Sequence, residues 1–355
     1  MSETHEGARP GERVCVTGAS GYIASHLVGE LLRQGYRVRG TVRDPSDEGK
    51  TAHLRRLARE AEAEDRLELV AADLLEPGAF DDAVQGCPWV CHTASSVRLR
   101  AKDPQREIVD VAVEGTKAVL RSIAGAKQAR RVVITSSIAA VIDEERTAGR
   151  TFTEDDWNES ARVEVNPYPL SKTLAERAAW ELVEALPPGE RFELVTINPA
   201  FVLGPVLAEA HGRSSPTVVR DLLRGKFPMV PKLGFNCVDV RDVALAHVRA
   251  LQRPAARGRF IVSGRLAPLP ELAGMLRAAF PGAKVPRWAM PNPLMYVVAL
   301  FDERLTWSFL RRNLGAKIHL DNRKSKEVLG LEYRPLDQTV RQTGQSFIDL
   351  GLAKA

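Results

Sequence analysis

The chain has 355 residues, 44% hydrophobic and 27% charged, with a formal net charge of +5 at pH 7. A normal apolar fraction with Gly and Pro scattered rather than periodic excludes fibrous, collagenous and wholly disordered classes, and the length predicts two domains or one large domain with a smaller lobe. Arg55, Arg56, Arg59, Glu60, Glu62, Glu64, Asp65 and Arg66 interleave both signs, and no long Lys/Arg run occurs, so the cationic surplus predicts no nucleic-acid partner.

No run of about 18 apolar residues is present, which predicts no membrane span. Residues 1–11 are polar and lack the apolar core of a signal peptide, so a cytoplasmic location is expected. Cys15, Cys87, Cys91 and Cys237 are too few and too irregular for a disulfide framework, and reduced thiols follow. Cys87, Cys91 and His92 have no second ligand pair beside them; they read as small fillers next to a buried strand, and no metal is expected.

Along the first half, β-branched runs alternate with amphipathic helical patterns, the signature of a parallel sheet covered by helices. Val14-Cys15-Val16-Thr17 is the first strand, and Ile23, Leu27, Leu31 and Leu32 recur at helical spacing as far as Gly35. Residues 37–42, 67–70 and 89–92 predict three more strands, and 105–126 a helix with Ile108, Val111, Val119 and Ile123 inward. A fifth strand at 131–134 runs into Thr135-Ser136-Ser137, a helix spans 168–186, and a sixth strand at 194–197 closes in Asn198-Pro199. Beyond Pro199, frequent Pro and Gly loosen the pattern. Helices near 240–251, 269–280 and 336–350 and a strand at 259–262 predict a smaller C-terminal lobe. The expected fold is therefore a Rossmann-type doubly wound α/β sheet at 12–199, to which 236–262 return, with 200–352 mainly binding substrate.

The segment Thr17-Gly18-Ala19-Ser20-Gly21-Tyr22-Ile23-Ala24 follows a strand and opens a helix. In that context Gly18 allows a tight turn, Gly21 allows close approach of a pyrophosphate, and Ala24 lets the helix pack on the strand. Exposed N–H groups at the helix start then hold the phosphates, so Thr17, Gly18, Ser20, Gly21, Tyr22 and Ile23 are candidate contacts. At the end of the second strand an NAD-selective site carries an acid, whereas this chain reads Thr41-Val42-Arg43-Asp44. The Arg43 guanidinium suits a 2′-phosphate, with Lys50 as a second charge; Asp44 is discordant, although Pro45 turns the chain away. NADPH is the expected cofactor. Asp73 and Leu74, after the third strand, suit adenine contact, with Asp73 equally able to cap a helix.

Tyr168-Pro169-Leu170-Ser171-Lys172 sets a phenol and an ammonium four residues apart on one helical face. A nearby cation lowers a phenol's pKa toward the working range, and the same cation can hold the nicotinamide ribose. The preceding Thr135-Ser136-Ser137 offers a hydroxyl to polarise a carbonyl.

With these segments the sequence resembles the extended short-chain dehydrogenase/reductases, in the branch of dihydroflavonol 4-reductase, cinnamoyl-CoA reductase and microbial NADPH-dependent aldehyde and methylglyoxal reductases. The resemblance runs over about residues 13–352 and rests on TGASGYIASHLV, VRGTVRDP, AADL, VCHTAS, VEGT, RRVVITSS, YPLSKTLAE, INPAFVLGP and VDVRDVALAHV. It implies carbonyl reduction in which Tyr168 protonates the nascent alkoxide, Lys172 tunes it and holds the ribose, and Ser137, rather than its neighbour Ser136, is the catalytic serine. It places Ala94 and Ser95 by the nicotinamide ribose, Pro199 and Val202 at the nicotinamide, Thr135 within the cofactor site, and Arg43 and Lys50 at the 2′-phosphate. His92 reads as structural, since the Tyr/Lys pair already supplies proton transfer.

Two departures bear on the substrate. Flavonoid-reducing relatives carry an Asn soon after the serine, where this chain reads Ile138-Ala139-Ala140-Val141-Ile142-Asp143. Cinnamoyl-CoA reductases carry an Asn-Trp-Tyr-type signature, and here Asn166-Pro167-Tyr168 has Pro in place of Trp. Val97, Phe201 and Phe235 are apolar candidates for the lining of a pocket for a medium-sized aldehyde or ketone. A 3β-hydroxysteroid dehydrogenase or epimerase and a non-catalytic dinucleotide sensor are the alternatives; Arg43 argues against an epimerase and the retained Tyr/Lys pair against a sensor. The expected partner is a small carbonyl compound, and the protein itself a monomer or homodimer.

Overall fold

The computed structural model describes residues 6–95, 101–143, 145–147, 149–298, 314 and 318–355. The strands are β1 (Arg13–Thr17), β2 (Arg37–Val42), β3 (Leu67–Ala71), β4 (Trp89–His92), β5 (Arg131–Thr135), β6 (Thr151–Phe152), β7 (Glu193–Pro199), β8 (Phe201–Leu203), β9 (Gly234–Asp239), β10 (Gly258–Val262), β11 (Arg265–Pro268) and β12 (His319–Leu320). The helices are α1 (Tyr22–Arg33), α2 (Glu48–Glu60), α3 (Val111–Ala126), α4 (Pro167–Ala185), α5 (Thr217–Leu223), α6 (Val240–Gln252), α7 (Leu269–Ala279), α8 (Asn292–Val298), α9 (Arg323–Glu327) and α10 (Leu336–Asp349).

Among the described residues a seven-stranded sheet runs β3-β2-β1-β4-β5-β7-β10, with every neighbouring pair parallel. Its central strands are buried on both faces, which is why they read as continuous apolar runs rather than alternating ones. The two-residue period sorts their side chains between two cores. Val14, Val16, Cys91, Val133 and Val195 pack with Leu27 and Leu31 of α1 and Val243 and Leu251 of α6. Their neighbours Cys15, Val90, Val132 and Leu194 face Val119 and Ile123 of α3 and Ala179 and Val183 of α4. All four cysteines are free and buried. No helix among the described residues is long and apolar enough to cross a membrane.

The structure departs from the sequence expectations in several places. The helix expected over 105–126 is α-helical only from Val111; Gln105–Asp110 winds as a π-helix. Helix α2 was not evident because its buried residues, Thr51, His53, Leu54 and Ala58, include only two apolar side chains. In the Pro- and Gly-rich region, β8, β9 and β11 form a separate sheet, with β8 parallel and β11 antiparallel to β9. Such short strands exist only through partners distant in sequence. Within 236–262, α6 and β10 pack into or against the main sheet, whereas β9 belongs to the smaller one.

Arg131 opens β5 and is fully buried. Its Nε donates to Glu193 Oε2 at 2.7 Å, and its Nη1 donates to the carbonyls of Ala250 and Arg253 at 2.6 and 2.7 Å, tying β5 and β7 to the end of α6. Removing one member of a buried pair strands the other, at a cost of about 3 kcal/mol or more. Arg131→Leu is expected to lower the midpoint of thermal unfolding by far more than a surface Arg→Leu change; equal midpoints would contradict this.

Candidate active site

The carboxyl ends of the sheet strands open on one edge, and chain order reverses between β1 and β4, the position where open α/β sheets bind ligands. At that point β1 ends at Thr17 and the chain turns at Gly18, whose φ is +65°. A Cβ at Gly18 would lie 2.9 Å from Ala94 Cα, so both conformation and space exclude a side chain. Gly21, by contrast, has an ordinary φ of −72° and is needed for closeness: its added Cβ would sit 3.2 Å from the Gly18 carbonyl oxygen. Gly21 is the N-cap of α1, and no side chain caps the helix. Exposed backbone with uncapped amides fits a diphosphate.

Several predicted contacts have side chains committed elsewhere. Thr17 is fully buried, and its Oγ1 accepts from the amides of Thr93 and Ala94, both at 3.1 Å. Its hydroxyl proton therefore goes to His92 Nδ1 at 2.8 Å, which makes His92 a neutral strut. Burial and the charge of Lys172 pull His92 down to about 4. The Tyr22 hydroxyl donates to the Gly204 carbonyl, and Thr135 Oγ1 bonds His247 Nε2 at 2.7 Å. Thr17, Tyr22 and Thr135 thus position the site rather than offering their hydroxyls to a ligand. Ser20 and Ile23 are half-buried, with the Ser20 carbonyl bonded to His211 Nε2.

At the end of β2, Arg43 is exposed and makes no ion pair or hydrogen bond among the described residues. Asp44 loses its ambiguity: its Oδ1 accepts from the amide and hydroxyl of Ser46, which hold its carboxyl below the usual range. Lys50 is paired to Asp47 at 2.5 Å and is less available than expected. Asp73 Oδ1 accepts from the Leu75 amide at 3.0 Å, closing a turn, and Leu74 packs where a Cβ on Gly115 would be.

Helix α4 begins after Asn166 with Pro167 at its first turn, where a missing N–H is harmless. Tyr168 and Lys172 follow on one stripe. Ser137 lies close enough to the Tyr168 phenol to pull its pKa down, and its Oγ accepts from the Ala139 amide at 3.1 Å, whereas Ser136 turns inward and donates to Glu176 Oε2 at 2.5 Å. The two serines thus diverge, and Ser137 is the one beside the phenol. Lys172 Nζ donates to Ser95 Oγ at 3.1 Å and lies 5.9 Å from the Tyr168 ring centroid. Burial lowers Lys172 to about 8, with Glu176 opposing that shift. For Tyr168, burial raises the phenol above its ordinary value while Ser137 pulls it down. This corrects the expectation of a phenol lowered by Lys172: burial dominates.

Pro199 and Val202 are buried, and Phe201 stacks on Phe235 at 4.5 Å between centroids. Val97 lies outside the described residues. Sequence reasoning missed Glu176, Asn198 and Arg259. Glu176 was in plain view, one turn after Lys172; Arg259 joins it only through the fold. Among the described residues no His/Cys/Asp/Glu group is arranged to hold a metal ion.

The model of the NAD dependent epimerase/dehydratase family matches residues 14–263. The chain belongs to this family. It is 40% identical over 344 residues to a cinnamoyl-CoA reductase of Medicago truncatula, covering 95% of each chain. It is 42% identical to tetraketide alpha-pyrone reductase 1 of Arabidopsis thaliana, over 80% of this chain and 86% of that one. In three dimensions it superposes on the yeast methylglyoxal/isovaleraldehyde reductase Gre2 complexed with NADPH with a TM-score of 0.79 at 30% identity, over 96% and 99% of the two chains. The family's Rossmann-type fold and its reductase branch are those expected from the motifs.

The family fold here buries neutral histidines. Burial pulls His26 and His247 to about 4 and His53 to about 3. In the unfolded chain each titrates near 6.5, so between that pH and about 4 the unfolded state binds more protons. Stability is therefore expected to fall as pH drops below about 6.5, and these groups contribute no slope above it. Thermal midpoints measured from pH 7.5 to 5 check this: a flat profile contradicts it, and His247→Gln should reduce the slope.

Proposed function

We propose that the chain is an NADPH-dependent reductase that converts an aldehyde or ketone of medium size to its alcohol. The observation that carries this reading is the placement of Ser137 beside the Tyr168 phenol, with Lys172 one helical turn on and bonded to Ser95, at the edge where the glycine turn leaves α1 uncapped. Bound NADPH supplies a hydride to the carbonyl carbon.

Ser137 donates a hydrogen bond to the carbonyl oxygen, drawing charge onto it. Tyr168 hands its phenolic proton to the oxygen as the alkoxide develops; a phenol held above its ordinary pKa is protonated at neutral pH, the state an acid needs. Lys172, near 8, is still a cation at pH 7, and with Ser95 it holds ribose hydroxyls. Ala94, Pro199 and Val202 flank the nicotinamide, and Asp73 and Leu74 the adenine. The backbone of Gly18, Ser20, Gly21, Tyr22 and Ile23 takes the diphosphate. Arg43, with no ion pair or hydrogen bond among the described residues, takes the 2′-phosphate, with Lys50 in a lesser role because Asp47 already engages it. Phe201 lines the carbonyl pocket.

In this reading residues 12–199 bind cofactor, 236–262 return to that domain, and 200–352 mainly bind substrate. The protein works in the cytoplasm as a monomer or homodimer on a small-molecule substrate, without nucleic acid; buried thiols suit a reducing compartment.

Turnover is followed as NADPH oxidation with a panel of aldehydes, α-dicarbonyls and aryl ketones. Tyr168→Phe should reduce kcat by about 100-fold or more. Retained activity would sink the assignment. Arg43→Ala should raise KM for NADPH about tenfold or more and leave KM for NADH unchanged, because only the former carries the 2′-phosphate. Equal effects on both cofactors would remove Arg43 from the site.

A further inference from the structure

Helix α4 carries a third group on the stripe of Tyr168 and Lys172. Glu176 lies one turn beyond the lysine, and its side chain has no solvent exposure. A buried carboxylate must be met by donors, and these come from two strands and from the residue that follows a third. Oε1 accepts from Arg259 Nε of β10 at 2.6 Å and from Thr196 Oγ1 of β7 at 3.0 Å. Oε2 accepts from Asn198 Nδ2 of β7 at 2.8 Å and from Ser136 Oγ, just beyond β5, at 2.5 Å.

We propose that Glu176, paired with Arg259, is the positioning residue that sets Ser137 against Tyr168 and neutralises the surroundings of Lys172. The inference rests on the reductase reading given above. Asn198 Nδ2 reaches both Glu176 and the Ser137 carbonyl, the latter at 3.2 Å, so the helix that bears Tyr168 is linked through one amide to the backbone of Ser137. Ser136, adjacent in sequence, provides a second link. Arg259 holds the other flank: Nη2 donates to the Ala140 carbonyl at 3.3 Å, and Nη1 to the carbonyls of Glu154 and Asp156 at 2.8 and 2.5 Å. Its guanidinium stacks 3.8 Å from the Trp157 ring centroid.

A buried ion pair adds little stability over a well-packed apolar pair, so the gain from this one lies in geometry. Glu176 and Lys172 also line the same small cavity of about 20 Å³, with Ser136, Thr116 and His92. Without the carboxylate, the Lys172 ammonium loses the charge that opposes the effect of its burial.

The test compares Glu176→Gln, Glu176→Asp and Arg259→Lys with the wild type and with Tyr168→Phe, reading kcat, NADPH affinity and the pH profile of kcat/KM. Glu176→Gln should lower kcat on the order of 10- to 100-fold with NADPH affinity nearly unchanged. It should also move the alkaline limb down by about one pH unit, because Lys172 loses its counter-charge. Glu176→Asp should restore the limb but not kcat, since it keeps the charge and shortens the reach. Arg259→Lys should lower kcat and serves as the readout if Glu176→Gln fails to fold. A folded Glu176→Gln, or in its absence Arg259→Lys, with wild-type kcat and pH limb overturns the proposal. If Tyr168→Phe is inactive in the same series, that overturning leaves the reductase reading intact; an active Tyr168→Phe would instead refute the reading itself.

Discussion

A parallel sheet buried on both faces leaves only its strand ends for chemistry. In this protein every hydrophobic contact between the sheet and α1, α3, α4 and α6 pushes polar function toward the carboxyl edge, where Gly18, Arg43, Ala94, Ser137 and Pro199 emerge side by side. The register does the aligning. Thr17 stands opposite His92, and Thr135 opposite Ile197, so residues 75 or 62 positions apart in sequence end at the same level.

The polar groups beneath that edge obey a second constraint, that buried donors and acceptors must be paired. His92 and His247 meet it as neutral rings, each accepting a threonine proton while the threonines brace the strand ends. Tyr22, His53 and His211 form a cluster of ring contacts under the glycine turn, again with burial holding the histidines neutral. Glu176 meets it as a charge, surrounded by donors from different strands. The result is that Ser137 and Tyr168 stand on a scaffold of paired polar groups.

Much of this was legible. The strands β1, β2, β4, β5 and β7 and helices α1, α4, α6, α7 and α10 follow from periodicity, because their burial is regular along the segment itself. The glycine turn and the Tyr168/Lys172 pair are local spacings. Helix α2, the π-helical turn before α3 and the strands β8, β9 and β11 were not legible, since what stabilises them lies outside the segment. The choice between Ser136 and Ser137, and the fate of Asp44, needed the direction of each side chain.

The sequence by itself determined the fold class, the glycine turn after β1 and the spacing of Tyr168 and Lys172 on one helical face, because each depends on residues within a few positions of one another. Only the tertiary structure decided that the hydroxyls of Thr17, Tyr22 and Thr135 are engaged by protein groups, that burial outweighs Lys172 in setting the Tyr168 phenol, and that Arg259 answers Glu176. Those outcomes depend on desolvation and on partners brought together by the sheet, and neither is encoded in local spacing.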